Sequence, residues 1–405
     1  MKNDTIEGQP EVKFEKAGPQ DYDEVIDLGN YVFSHSRGPC DFPIILPKLY
    51  KREYFSQGIH YLAREGGKIK AVAGAYPLVW EFRDQNNSVI SLPGRGIGMV
   101  SVHPYARSRG FMKDLMNRAM DDMKRDGIVF ACLSGFRQRY EYFGFAPTGN
   151  IYTFTCNEYN IRHVLGPQWS SGLSLIPLGP EDKSLLNQIH ALHETKPIRI
   201  QRPREMLFDI LTSWKARAFA VTNGSNFEGY LVCKRQGTEQ EITEINLRDL
   251  SRLPEVLGLF MREGRKSGMQ EKVEVSSCPQ EGEKIAVLSG FAESYSQGPA
   301  YHYAVFDYKR FAGPFLNFVS RGRKLANGSV TLQIEGEGRL RLSVENGSAS
   351  LTDTSDSAEL FLNRLEALDF FFSPLASYTI PAIGKSPFLQ SLLPLPLSFE
   401  NTDGV

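Results

Sequence analysis

Val100-Ser101-Val102-His103-Pro104-Tyr105-Ala106-Arg107-Ser108-Arg109-Gly110-Phe111-Met112 leads from an apolar strand through a turn into a helix, and it decides the fold. The helix is marked by Met112, Leu115, Met116, Ala119, Met120 and Met123, which recur at the spacing of one buried face. A turn of this kind presents successive backbone N–H groups at a helix N-terminus. Those orphan donors and the positive end of the helix dipole make an anion site. Gly110 lets the backbone come close to a pyrophosphate. Arg107 and Arg109 add planar donor forks that suit phosphate oxygens.

Working outward, Tyr22 to Phe33 has the periodicity of an amphipathic helix, and Gly38, Pro39, Pro43 and Pro47 predict a loop or broken helix after it. His60 to Arg64 and Ile69 to Phe82 read as a β-hairpin about Gly66-Gly67. A turn at Asp84 to Ser88, a strand over Ile97 to Val102 and a short strand over Ile128 to Leu133 complete a mixed α/β sheet. From Leu173 the order begins again: a helix over Pro180 to His193, a hairpin from Ala218–Thr222 and Phe227–Lys234, a strand over Glu241 to Leu247 and a helix over Leu253 to Arg265. The second strand-to-helix junction, Asn246 to Glu255, holds no glycine, as expected of a repeated fold without its ligand loop.

From Tyr301 the texture changes. A helix over Tyr308 to Ser320 precedes a β-meander (Ser329–Ile334, Gly338–Val344, Ala349–Thr352), two helical stretches (Ser357–Ala367, Ala367–Ser373) and an extended, proline-containing tail. The reading is an α/β (α+β) chain of three domains, 1–160, 161–300 and 301–405.

Charge is balanced, 46 basic against 47 acidic residues, which gives no support to nucleic-acid or anionic-membrane binding. Cys40, Cys132, Cys156, Cys233 and Cys278 are far apart, without a CxxC, so reduced thiols are expected rather than a disulfide framework or zinc site. His190 and His193 have i, i+3 spacing but no third ligand nearby, and no metal is expected. The N-terminus has no signal-like apolar core and no run approaches the ~20 residues of a membrane helix, so a cytoplasmic protein is expected.

Arg107 to Met112 resembles the acetyl-CoA loop of GNAT acetyltransferases, (Q/R)xxGx(G/A), with Met112 where a small residue is usual. The whole chain resembles the enhanced-intracellular-survival (Eis) branch of that superfamily. The resemblance implies an active GNAT domain, a degenerate second one and a C-terminal sterol-carrier-like (SCP2-like) domain, assembled as a trimer of dimers. It implies acetyl-CoA as co-substrate, held by the strand Val100, Ser101 and Val102, by Arg107, by the loop residues Ser108, Arg109, Gly110, Phe111, Met112 and Lys113, and by the pair Ser134 and Gly135.

Arg139-Tyr140-Glu141-Tyr142-Phe143-Gly144-Phe145 resembles the family's Y-x-x-F-G-(Y/F) segment, which makes Tyr140 the general acid and leaves Tyr142 as packing. A phenol of pKa ~10 can protonate a thiolate of pKa ~8.5 only slightly uphill. By the same resemblance the base is the terminal carboxylate of Val405, with Glu400 and Asp403 the nearest substitutes. The implied activity is N-acetylation of a small cationic amine (aminoglycoside or polyamine) or a lysine side chain. An acidic pocket would suit it, with Asp21, Asp23, Glu24, Asp27 and Asp41 as donors. The alternative is a catalytically faded acyl-CoA- or lipid-binding protein.

Overall fold

A computed structural model describes residues 11–84 and 86–405; the reading that no signal peptide is present falls partly on residues 1–10, outside that range. Nineteen strands occur among the described residues. In chain order they are β1 Val12–Lys16, β2 Ile59–Glu65, β3 Lys68–Arg83, β4 Val89–Val102, β5 Phe130–Leu133, β6 Ala146–Thr148, β7 Ile151–Asn157, β8 Leu173–Pro177, β9 Ile198–Ile200, β10 Arg217–Asn223, β11 Asn226–Gln236, β12 Glu239–Leu247, β13 Lys272–Ser277, β14 Ser294–Gly298, β15 Tyr301–Val305, β16 Gly328–Ile334, β17 Arg339–Glu345, β18 Ser348–Asp353 and β19 Leu360–Leu362.

The first sheet runs β1-β2-β3-β4-β5-β15-β6, with β9 paired to the far half of β3; the second runs β14-β7-β13-β12-β11-β10-β8; the third runs β18-β17-β16-β19. Both large sheets have the expected hairpin, then strand, helix and parallel strand. The helices Tyr22–Arg37 and Phe111–Arg125 cover opposite faces of the first sheet, and Leu253–Lys266 covers the second. The tandem GNAT-like architecture of mixed sheets with flanking helices is present.

Strand membership does not follow chain order. β7, which leaves the first sheet, inserts between β13 and β14 of the second. β15, which leaves the second, returns between β5 and β6 of the first. Each sheet therefore completes its hydrogen bonding with a strand from the other half, and the expected divisions at 160 and 300 fall beside these exchanged strands.

The third region shares its core with the first. Trp80, Phe82 and Phe130 of the first sheet pack with Phe311 and Phe315 of the helix Tyr308–Gly322 and with Phe370, Phe371 and Phe372. Burying an aromatic of this size contributes roughly 1.5–3 kcal/mol.

The helix expected over Ser357–Ala367 is not formed as such. Leu360–Leu362 pair in parallel with Leu332–Ile334, so this stretch takes up a sheet edge. The helix starts at Arg364, where the Asn363 side chain accepts from Leu365 N and Glu366 N. Tertiary pairing overrides the local pattern here. The tail also differs from expectation: short helical turns at Ala376–Thr379, Pro381–Gly384 and Pro387–Leu392 precede the extended part.

Candidate active site

The site begins with a defect in β4. The β3–β4 register passes from Val72↔Ser101 to Gly74↔Gly98, so Ala73 faces two residues, Met99 and Val100. Met99 takes φ +50°, rare for a side chain with a Cβ, and this marks a bulge held in place by its surroundings. Its effect on side-chain direction is visible in the packing. Ile97 and Val100 face the helix Phe111–Arg125, while Met99 packs on the opposite face against Val25 and Tyr76. Beyond the bulge β4 leaves its parallel neighbour, having paired with β5 only over Gly94–Gly96. The backbone of Val100 to Val102 thus has β3 on one side and no strand on the other, which frees polar groups for a ligand.

A groove of about 870 Å³ fills that opening. Its walls are Val100 and Val102, the loop from Ala106 to Lys113, the end of the first helix at Val32 and Phe33, and Phe136, Arg139, Tyr142 and Phe143. Gly110, at φ +83°, starts the helix Phe111–Arg125 and has no side chain with which to cap it. The first N–H groups of a fifteen-residue helix therefore face the groove with the positive end of its dipole. The groove fits an acyl-CoA: an uncapped helix end for the pyrophosphate, a bare strand edge for the amide-bearing arm, and apolar walls between.

Most of the expected cofactor residues meet here: Val100, Val102, Arg107, Ser108, Arg109, Gly110, Phe111, Met112 and Lys113 all line the groove. Ser101 does not, because strand alternation buries its side chain on the other side. Arg109 is turned to Glu65, which it grips with two hydrogen bonds of 2.9 and 2.6 Å, and it stacks on Phe111 at 4.7 Å. Ser134 and Gly135 lie outside the lining. Gly135 instead makes room for Tyr140, whose ring would be 2.5 Å from any Cβ placed there.

Tyr140 itself is buried and does not line the groove, whereas its neighbours do. Burial pushes its hydroxyl above the usual tyrosine value, with Arg139 opposing, so the group holds its proton at neutral pH. Tyr142, read from the sequence as packing, is an exposed groove residue with Lys113 over its ring at 4.6 Å.

The tail is docked. Leu395, Leu397 and Phe399 are buried, and Phe399 stacks on Tyr301 at 4.6 Å. Asp403 receives two 2.8 Å bonds from Arg202, which also grips Glu244 at 2.9 Å, all three being buried. Lys196 pairs with Glu400, and Lys48 donates to Thr402 O at 2.6 Å. Val405 ends up against Gly96, where a Cβ would be 2.5 Å from its Cγ1. Gly94, Gly96 and Gly98 form a bare row along β4, faced by Phe130, by Val405 and by Tyr50 with Tyr76, in that order. The pattern Pro93-Gly94-Arg95-Gly96-Ile97-Gly98 was the available signal, since alternate glycines in a strand mark a close approach.

A second pocket, about 220 Å³, opens beside Val405 and is bordered by Lys48, Tyr76, Met206, Asp403 and others. None of the five expected acidic residues lines it. Asp21 and Glu24 bind Arg64, each at 2.8 Å, and Asp23 binds Arg52. His190 and His193 are buried and bond the carbonyls of Arg202 and Ile200. Among the described residues no cluster of three ligating side chains is present, and no helix is long and apolar enough to cross a membrane.

Comparison with known proteins agrees with this geometry. Residues 13–148 match the acetyltransferase (GNAT) domain family. No curated protein sequence matches the chain. Solved structures share the fold over nearly the full length. A conserved protein of unknown function from Enterococcus faecalis V583 aligns at TM-score 0.69 and 16% identity, over 96% of this chain and 99% of its own. A GCN5-related N-acetyltransferase from Anabaena variabilis ATCC 29413 aligns at 0.65 and 17%, over 97% and 98%. Eis1 from Mycobacterium abscessus aligns at 0.62 and 12%, over 96% and 99%.

Proposed function

We propose that this protein is an acetyl-CoA-dependent N-acetyltransferase acting on a primary amine, built on the Eis plan. The observation that carries it is the bulge-opened groove ending in an uncapped helix; the docked tail, through Asp403 and Val405, forms part of the wall of the second pocket. Bound acetyl-CoA supplies an acetyl thioester. The chain's own groups supply the rest: N–H groups at Gly110–Lys113 hold phosphate oxygens, and the free strand edge at Val100–Val102 offers a donor to the thioester oxygen. The Val405 carboxylate takes the proton of the attacking ammonium. The Tyr140 hydroxyl, kept protonated by burial, gives one to the departing thiolate. The SCP2-like third region and a trimer of dimers remain part of this reading, with the aromatic packing of that region favouring a structural part over a lipid carrier.

Thiol release from acetyl-CoA, followed across a panel of amines, tests the proposal beside Tyr140→Phe, Gly96→Ala and a chain lacking its last three residues. Amine-dependent release that falls at least 100-fold in all three supports it. Loss in Tyr140→Phe alone keeps the transferase and removes Val405 as base. Tight acetyl-CoA binding with no amine-dependent release selects the faded binding protein.

A further inference from the structure

Resting on the transferase reading above, we infer that the acceptor is a small primary monoamine with an apolar body, not a polycation. The pocket beside Val405 sets this. Its inner wall is hydrocarbon: Leu49, Leu78, Ile200, Met206 and Ile210, with the ring of Tyr76. Polar Gln57 and Gln201 are exposed and sit at its mouth. At about 220 Å³ it is smaller than the ~300–1,000 Å³ that holds drug-sized ligands, so an aminosugar oligomer does not fit inside.

Charge points the same way. A ligand with several ammonium groups needs a carboxylate for each one it buries. Asp403 is the one acidic side chain among the lining residues, and both its oxygens are already taken by Arg202. Lys48, also in the lining, adds a basic group instead, and its Nζ is committed to Thr402 O. The nearby Asp209 lies outside this lining and is bound by Lys51 and by Tyr54, which does line the pocket. One amine can be accommodated, because it faces the Val405 end and loses its charge on acetylation. A second cannot.

Calorimetric titration of the full chain with 2-phenylethylamine, n-hexylamine, spermine, kanamycin and a lysine-containing peptide tests the inference without needing turnover. Saturable binding of the two monoamines is expected, at least tenfold tighter than the polycations or the peptide. Met206→Trp, which fills the hydrocarbon end, should weaken monoamine binding at least tenfold and leave acetyl-CoA titration unchanged, with a thermal melt showing that it folds. Met206→Leu should restore binding. Equal or tighter binding of kanamycin, spermine or the peptide overturns the inference, as does absence of monoamine binding. Thiol release separates the two claims. Release with polycations alone keeps the transferase and discards the monoamine; monoamine binding without release from any amine does the reverse.

Discussion

The two GNAT-like halves carry the same backbone defect and put it to opposite uses. In the second half the β11–β12 register passes from Val232↔Glu244 to Cys233↔Ile242, which leaves Thr243 as the extra residue, as Met99 and Val100 crowd Ala73 in the first. There too the bulged strand leaves its parallel neighbour early, after Glu241 and Ile242. The difference lies in what fills the opening. Asp249 accepts from Ser251 N at the turn into the helix Leu253–Lys266, and the buried Lys284 donates to Ile245 O. The second half has supplied its own anion and its own cation. Asp249 caps the short turn Leu250–Arg252, while the long helix after it starts at Arg252 without a side-chain cap; such a capping carboxylate is worth about 0.5–2 kcal/mol, and the loop before Gly110 in the first half has none. A fold is retained by its apolar pattern; its ligand site is closed by a few polar side chains.

The second half nevertheless serves the first, because Arg202 and Glu244 hold the tail that ends at the acceptor pocket. Arg202→Met takes the guanidinium from two buried carboxylates, of which Glu244 keeps Tyr230 and Asn246, and urea unfolding should show a loss of about 3–5 kcal/mol, the largest single effect expected. Unchanged stability would mean that the tail is not held by this network.

An acid limb should mark the first half next. His60 is buried against Phe55 and Tyr76, and burial lowers it from 6.5 to about 4. The unfolded chain takes up this proton first, so stability is full above pH 6.5 and is lost as pH falls toward 4, by on the order of 3 kcal/mol. β10, the counterpart strand, has no histidine, but burial also holds His193 in the second half well below its usual value, so both halves contribute to this limb. Denaturation of His60→Phe across that window should show the limb reduced, with the His193 part remaining; a slope equal to wild type would place the titrating group elsewhere.

Gly110→Asp puts a carboxylate at the start of the first half's helix, closer to it than Asp249 stands to the second. Repulsion and a filled helix end should weaken acetyl-CoA binding by about 2–3 kcal/mol, roughly 30- to 150-fold, read by titration. The reverse change is the smallest. Asp249→Ala should cost about 1 kcal/mol of stability, and acetyl-CoA should still bind once per chain because Lys284 continues to fill the opening. A second bound equivalent would show that the cap alone had closed that site.

Local rules set the helix after Gly110, the Gly66-Gly67 hairpin and the glycine-free second junction, and all three occur where the residue pattern places them. The pattern misleads where long-range pairing decides. Leu360–Leu362 form a strand because a sheet edge is open to them, and Tyr142 is a groove residue because its neighbour Tyr140 takes the buried position. Ser134 and Gly135 match a cofactor pair by spacing, and spacing does not reveal that Gly135 serves the Tyr140 ring. The glycine row of β4 is plain in the sequence, yet only the folded chain shows that Val405 rests on it.

By itself the sequence determined the class of fold, the repeat, and the strand–loop–helix that can take an anion, because these depend on periodicity and on residues adjacent in the chain. Tertiary structure alone decided the exchange of β7 and β15, the seat of the tail and the character of the acceptor pocket. Those features join groups as far apart as Lys48 and Thr402, or Gly96 and Val405. Such pairings depend on the three-dimensional packing of the chain, and no local pattern encodes which distant surface will be left for a segment to fill.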